Sequence, residues 1–278
     1  MKKLMVIAAA ALCGSFFAAG EVTSANVVGY QTLTIYPGNN MFTVNFGNMA
    51  DAQGYTLEQL FPGTTEGLVG GTTAAASDRI KAWDPTADNG AGAYSDTYYF
   101  FIRNNNANSR TWRKSATVAA DVKIKSGMCF WFYHNAPVGS EPLVFTVPGQ
   151  VEYSQQGASM TIRPGMNMIG APFAGDADLN TLGTDFWKAL VEAGNCKAST
   201  AAAASDFVKI WDPQADNGAG AYGDTYYLFY RNNNANSYTW RKNASTIAPA
   251  GFIKMGVGAW YYCGGTGFTM TLPYPYDL

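Results

Sequence analysis

The sequence predicts an all-β protein made of two tandem sandwich-like or barrel-like units, each with at most one or two short helices. An internal repeat is the first reason. Trp83–Lys114 and Trp211–Lys242 are identical at 27 of 32 positions at a constant offset of 128, which chance does not produce. Leu33–Phe46 and Met160–Phe173 match at 7 of 14 positions, and Ile124–Gly127 with Trp131 and Tyr133 aligns with Ile253–Gly256, Trp260 and Tyr262. The second reason is strand patterning, with β-branched and aromatic runs broken by Gly, Pro and Asn about every ten residues. Sparse charge is the third. Charged residues make up 14% of the 278, so the surface must be wetted by Asn, Thr, Ser and Tyr.

Taken in order, residues 27–36 alternate polar with apolar side chains, Pro37-Gly38-Asn39-Asn40 reads as a turn, and Met41–Phe46 reads as the returning strand of a hairpin. Thr56–Phe61 and Phe186–Glu192 are the helical candidates. Ile80–Trp83 and Tyr94–Ile102 bracket a long loop. Met128–Tyr133 is a continuous apolar run expected of a buried central strand, and Leu143–Val147 closes the unit. The expected organisation is a leader over residues 1–20, a first β unit over 21–149 and a second over 150–278.

Residues 1–20 carry Lys2 and Lys3, then an apolar stretch from Leu4 to Ala19, then small residues suited to cleavage after Gly20. The stretch is shorter than the roughly 20 residues a spanning helix needs. Export to the periplasm, cell surface or extracellular space is the expectation, with no integral membrane segment after cleavage. Removing the two lysines leaves 16 basic against 20 acidic residues, a formal charge of −4. That argues against nucleic acid, which demands clustered Lys and Arg. Three cysteines remain: Cys129, Cys196 and Cys263. An odd set whose members have no cysteine counterparts in the other copy implies a unit that folds without a disulfide, and buried thiols are expected.

Two constellations in the near-identical block could bind something. Asp84, Asp88, Asn89 and Asp96, repeated as Asp212, Asp216, Asn217 and Asp224, gather oxygen donors around glycines, the chemistry calcium favours. Their spacing departs from the EF-hand pattern, and Asx and Gly residues also build ordinary loops. Tyr94, Arg103 and Trp112, repeated as Tyr222, Arg231 and Trp240, could stack on sugar rings and bond their hydroxyls, although strand aromatics also pack cores. His134 is the only histidine and aligns with Cys263, so a Ser-His-Asp triad has no repeated basis. No zinc cluster, phosphate loop or nucleophile elbow is present in the sequence.

The segment Ser24-Ala25-Asn26-Val27-Val28-Gly29-Tyr30, the P-G-x-N turn, the Trp-Asp hairpin and the later G-x-x-x-W-x-Y strand together resemble a group of uncharacterised exported bacterial tandem β-repeat proteins. The resemblance implies export and fold, and no activity. The leading expectation is a non-catalytic surface, matrix or adhesion-type protein whose doubled unit associates with itself or with extracellular polysaccharide. Alternatives are a secreted glycan-binding module, a glycoside hydrolase-like enzyme working through loop carboxylates, and an outer-membrane barrel. No cofactor is expected, and calcium is the one candidate ion.

Overall fold

A computed structural model describes residues 27–84, 87–88, 92–102, 110–231 and 237–276, so the leader, Asn89, Arg103 and both NNNAN segments lie outside the described residues. The described chain is mostly β-structure. Strands of the first half are β1 (Val28–Ile35), β2 (Gly38–Thr43), β3 (Arg79–Asp84), β4 (Ala93–Tyr94), β5 (Tyr98–Ile102), β6 (Arg110–Arg113), β7 (Cys129–His134) and β8 (Leu143–Gln150). Those of the second are β9 (Ala158–Ile162), β10 (Gly165–Ile169), β11 (Phe207–Asp212), β12 (Ala221–Arg231), β13 (Ser237–Arg241), β14 (Ala259–Cys263) and β15 (Phe268–Leu272).

Both halves are wired alike. The larger sheets run β2-β7-β3-β5-β6, with β4 added on β3, and β10-β14-β11-β12-β13; two-strand ribbons pair β1 with β8 and β9 with β15. Alternation explains how each ribbon meets its sheet. In β1 the side chains of Leu33 and Ile35 turn inward, as do Phe145 and Val147 of β8, while Tyr30, Thr32 and Val144 face out. The inward set packs with Ile80, Phe100, Trp112, Phe130 and Phe132 of the sheet in one apolar core. An equivalent core of the second half centres on Ile162, Val208, Leu228, Trp240, Tyr261 and Met270.

The hairpin expected from β1 and β2 does not form. The two strands are consecutive but belong to different layers, with β1 on β8 and β2 on β7. Asn40 makes the corner. Its side chain accepts from Tyr36 N at 2.9 Å and donates to Tyr36 O at 2.7 Å and Gly38 O at 3.1 Å. Gly38, at φ 89°, takes the left-handed conformation the corner needs. Asn167 repeats this around Arg163 and Gly165, whose φ is 83°. A bound, buried amide substitutes for a hairpin ladder because inward Leu33 and Ile35 gain more by covering the sheet than by pairing with β2.

Helix α1 (Leu57–Leu60) carries a Thr56–Gln59 capping box, and α2 (Gly183–Glu192) buries Trp187. Buried carboxylates pin the loops beside them. Asp78 lies 2.9 Å from His134 Nδ1 and accepts from Val69 N and Asn135 N. In the second half Asp206 accepts from Tyr261 OH, Lys197 N and Gly264 N. His134 is therefore a satisfied core residue. Cys129, Cys196 and Cys263 are free and buried thiols, as expected.

Asn40→Ala and Asn167→Ala each orphan several backbone groups at a buried corner. Each is expected to cost about 1–3 kcal/mol and to lower the melting temperature by roughly 3–10 °C. A loss under roughly 1 °C in scanning calorimetry contradicts the corner's role.

A candidate binding groove at the junction of the halves

Each near-identical block meets the apolar strand, β14 or β7, of the other half. Trp83 packs edge-to-face on Trp260 of the other half, with ring centroids 5.2 Å apart and an interplanar angle of 85°; Trp211 packs on Trp131 at 4.8 Å and 84°. Tyr94 and Tyr222 close the two stacks against Trp83 and Trp211 at 5.2 and 5.1 Å. Met41, Cys129 and Met168 fill the space between. Trp131 Nε1 donates to Tyr94 OH at 2.8 Å and Trp211 Nε1 to Asn39 O at 3.0 Å, so the indoles are held by hydrogen bonds as well as by packing. Gly92 and Gly220 are required beneath the rings. A Cβ there would lie 2.4 Å from Trp83 and 2.5 Å from Trp211. The junction thus accounts for the repeated Trp, Gly and Tyr positions of the block.

Around this symmetric centre the flanks differ in a complementary way. On one side, β2 bridges to the segment before β14: Thr43 N donates to Gly256 O at 3.2 Å, and Gly258 N to Met41 O at 3.0 Å. Buried Asn45 donates to Ala171 O and accepts from Gly256 N, and Gln31 bonds both Asn45 and Thr43 O. The second copy has Ala158, Gly170 and Pro172 where the first has Gln31, Thr43 and Asn45. A Cβ on Gly170 would lie 2.5 Å from Thr43, and one on Gly258, the counterpart of Cys129, 2.4 Å from Met41. At these positions the second half is small where the first is bulky.

On the opposite side those smaller residues border a groove of about 730 Å³, walled by Trp83, Lys125 and Met128 of the first half and Ser159, Met168 and Tyr274 of the second. Ser126 Oγ, on this wall, is buried without a hydrogen-bond partner. Gly157 and Tyr274 also border a second cleft of about 310 Å³, which holds Tyr153, Gln155, Gln156 and Tyr276. The groove and the cleft therefore share a wall. Burial first, then Glu152, holds the Tyr274 phenol above its usual range.

The sugar-binding expectation is corrected for the two tryptophans. Trp112 is 2% and Trp240 0% exposed, inside the two cores, because both occupy inward positions of β6 and β13. Trp112 Nε1 donates to Phe61 O at 2.9 Å and its N to Glu58, while Trp240 N donates to Asn180. Neither offers a ring face to a ligand. Tyr94 and Tyr222 remain 39% and 44% exposed at the junction rims, beneath Lys81 and Lys209. Arg231 donates to Ala244 O on a separate part of the surface, and Arg103 lies outside the described residues.

The calcium candidates are dispersed in role. Asp96 pairs with Lys114 and Asp224 with Lys242, the latter ion pair holding the Asp224 carboxyl below its usual range. Asp212 accepts from Gln214 N in a side-chain turn. Asp88, Asp216 and Asn217 take left-handed backbone conformations, at φ 51°, 52° and 56°. Asp84 ends β3, and Asn89 is outside the described residues. Among the described residues no three of His, Cys, Asp or Glu are grouped as a metal would need.

Tyr153, Tyr274 and Tyr276 were missed in the sequence because they sit in the connection between halves and after the last strand, outside the repeat. The Tyr274-Pro275-Tyr276 triplet was the available signal. Comparison with known protein families, curated proteins and solved structures gives no match.

Trp112→Ala and Trp240→Ala are expected to destabilise the protein by about 3–5 kcal/mol each, measured by denaturant titration. Unchanged midpoints with weakened polysaccharide retention would restore the original sugar-platform reading.

Proposed function

We propose that this chain is a non-catalytic, exported surface or matrix protein that binds polysaccharide in one groove between two homologous β-sandwich units. The observation that carries the reading is the one-sided groove. The duplicated aromatic faces are spent on each other at the junction, and the pseudo-symmetric gap is packed by Gln31, Thr43 and Asn45 on one side only. A volume of about 730 Å³ is within the usual size of a binding site. Its mixture of aromatic and methionine surface with hydroxyl and amide groups, and with Asp84, Lys123, Lys125 and Glu152 at its border, suits a ligand with apolar faces and polar edges. No helix among the described residues is long and apolar enough to cross a membrane. Export rests on the leader sequence.

A second reading, self-association into a matrix, is favoured by one feature. Val28, Tyr30 and Val144 lie exposed on the outer face of the β1–β8 ribbon. Exposed apolar strand surface is a common route to assembly.

The mature protein is expected to be retained on at least one member of a panel of insoluble polysaccharides, including cellulose, xylan, chitin and peptidoglycan, and to remain monomeric by light scattering. No retention anywhere on the panel overturns the binding reading. Discrete oligomers that Tyr30→Asp dissolves favour assembly instead.

A further inference from the structure

We infer that the cleft of Tyr153, Tyr274 and Tyr276, which shares a wall with the inter-half groove, is a subsite for a neutral saccharide chain; the inference rests on the polysaccharide-binding reading above. Three phenol rings form a compact triangle, with centroids 5.3 Å apart for Tyr153–Tyr274 and for Tyr274–Tyr276 and 6.4 Å for Tyr153–Tyr276, at interplanar angles of 37–39°. The outward part of this cluster, Tyr153 above all, offers a flat, weakly polar surface to the C–H face of a sugar ring. Tyr153 is 39% exposed, and Tyr276 is fixed by its OH donating to Glu152 O at 3.0 Å.

The rest of the lining decides the ligand class. Ser154, Gln155, Gln156 and Thr271 surround the rings, and the charge that Tyr274 and Tyr276 feel is the Glu152 carboxylate, which repels an anionic ligand. Amides and hydroxyls each offer both donors and acceptors, as sugar hydroxyls do. A proline-rich peptide also docks on aromatic grooves, but it brings chiefly acceptors and would leave the glutamine carbonyls unmatched. An acidic glycan or phosphate would want a cation, which this cleft lacks. The cleft is peculiar to the second half. It is built from the connection 151–157 and the segment after β15, neither of which belongs to the repeated pattern.

Affinity electrophoresis of the full mature protein in gels containing a soluble neutral glucan or xylan tests this, with alginate as the acidic control and a polyproline peptide as competitor. Wild type is expected to be retarded by a neutral polymer and not by alginate. Tyr153→Ala and Gln156→Ala are expected to weaken that retardation by about threefold to tenfold each, with unchanged melting temperatures. Tyr274→Ala is expected to weaken it further, but Tyr274 also packs on Phe173. The exposed Tyr153 and Gln156 variants therefore carry the test. If wild type is retarded and neither variant differs from it, the subsite is wrong and the general reading survives. Stronger retardation by alginate, or displacement by the peptide at lower concentration than by the sugar, overturns the neutral-saccharide assignment. No retardation by any polymer overturns both.

Discussion

The reciprocal tryptophan junction is the constraint on which the remainder depends. Two edge-to-face pairs join the halves, Trp83 with Trp260 and Trp131 with Trp211, and each is closed by a tyrosine. Aromatic pairs of this kind contribute roughly 0.5–1.5 kcal/mol beyond the area they bury. Their geometry matters more than that sum. Trp83 and Trp211 leave β3 and β11, and Trp131 and Trp260 leave β7 and β14, on the face turned away from their own cores, and they are dried against the other half. A duplicated β unit with an apolar outer face becomes one body because its copy offers the same need.

From that centre the asymmetry follows. Once two copies are fused and paired, positions near the axis no longer have to suit themselves and need only suit each other. Thr43 with Gly170, Met41 with Gly258, and Asn45 with Ala171 and Gly256 show the result. Buried Asn45 and Gln31 would be costly alone, and they persist because every polar atom shown here has a partner across the junction or within the pair. The side that received these amides closed. The side left with alanine, glycine and proline kept a groove.

Much of this architecture was legible in the sequence. Period-two alternation identified β1, an unbroken apolar run identified β7, Leu143–Val147 marked β8, and the runs Ile80–Trp83 and Tyr94–Ile102 located β3 to β5; β6 was not singled out. The partner of β1 was not legible. Pro37-Gly38-Asn39-Asn40 has the composition of a hairpin turn, yet Asn40 folds it into a corner between layers, and only the tertiary fate of Leu33 and Ile35 distinguishes the two. For the candidate site the sequence pointed to the right residue types in the wrong places. Trp112 and Trp240 alternate inward, whereas Tyr153 and Tyr276 lie outside any strand and carry no periodic signal. The high identity of the block, open to a structural or a functional cause, has a structural account at Trp83, Gly92 and Tyr94.

Whether the halves behave as one body is decided most directly by calorimetry of Trp83→Ala beside the wild type. Coupling through the junction predicts a single unfolding transition in both proteins, displaced as a whole to lower temperature in the variant. Two separate transitions, with only one moved by the substitution, would contradict it.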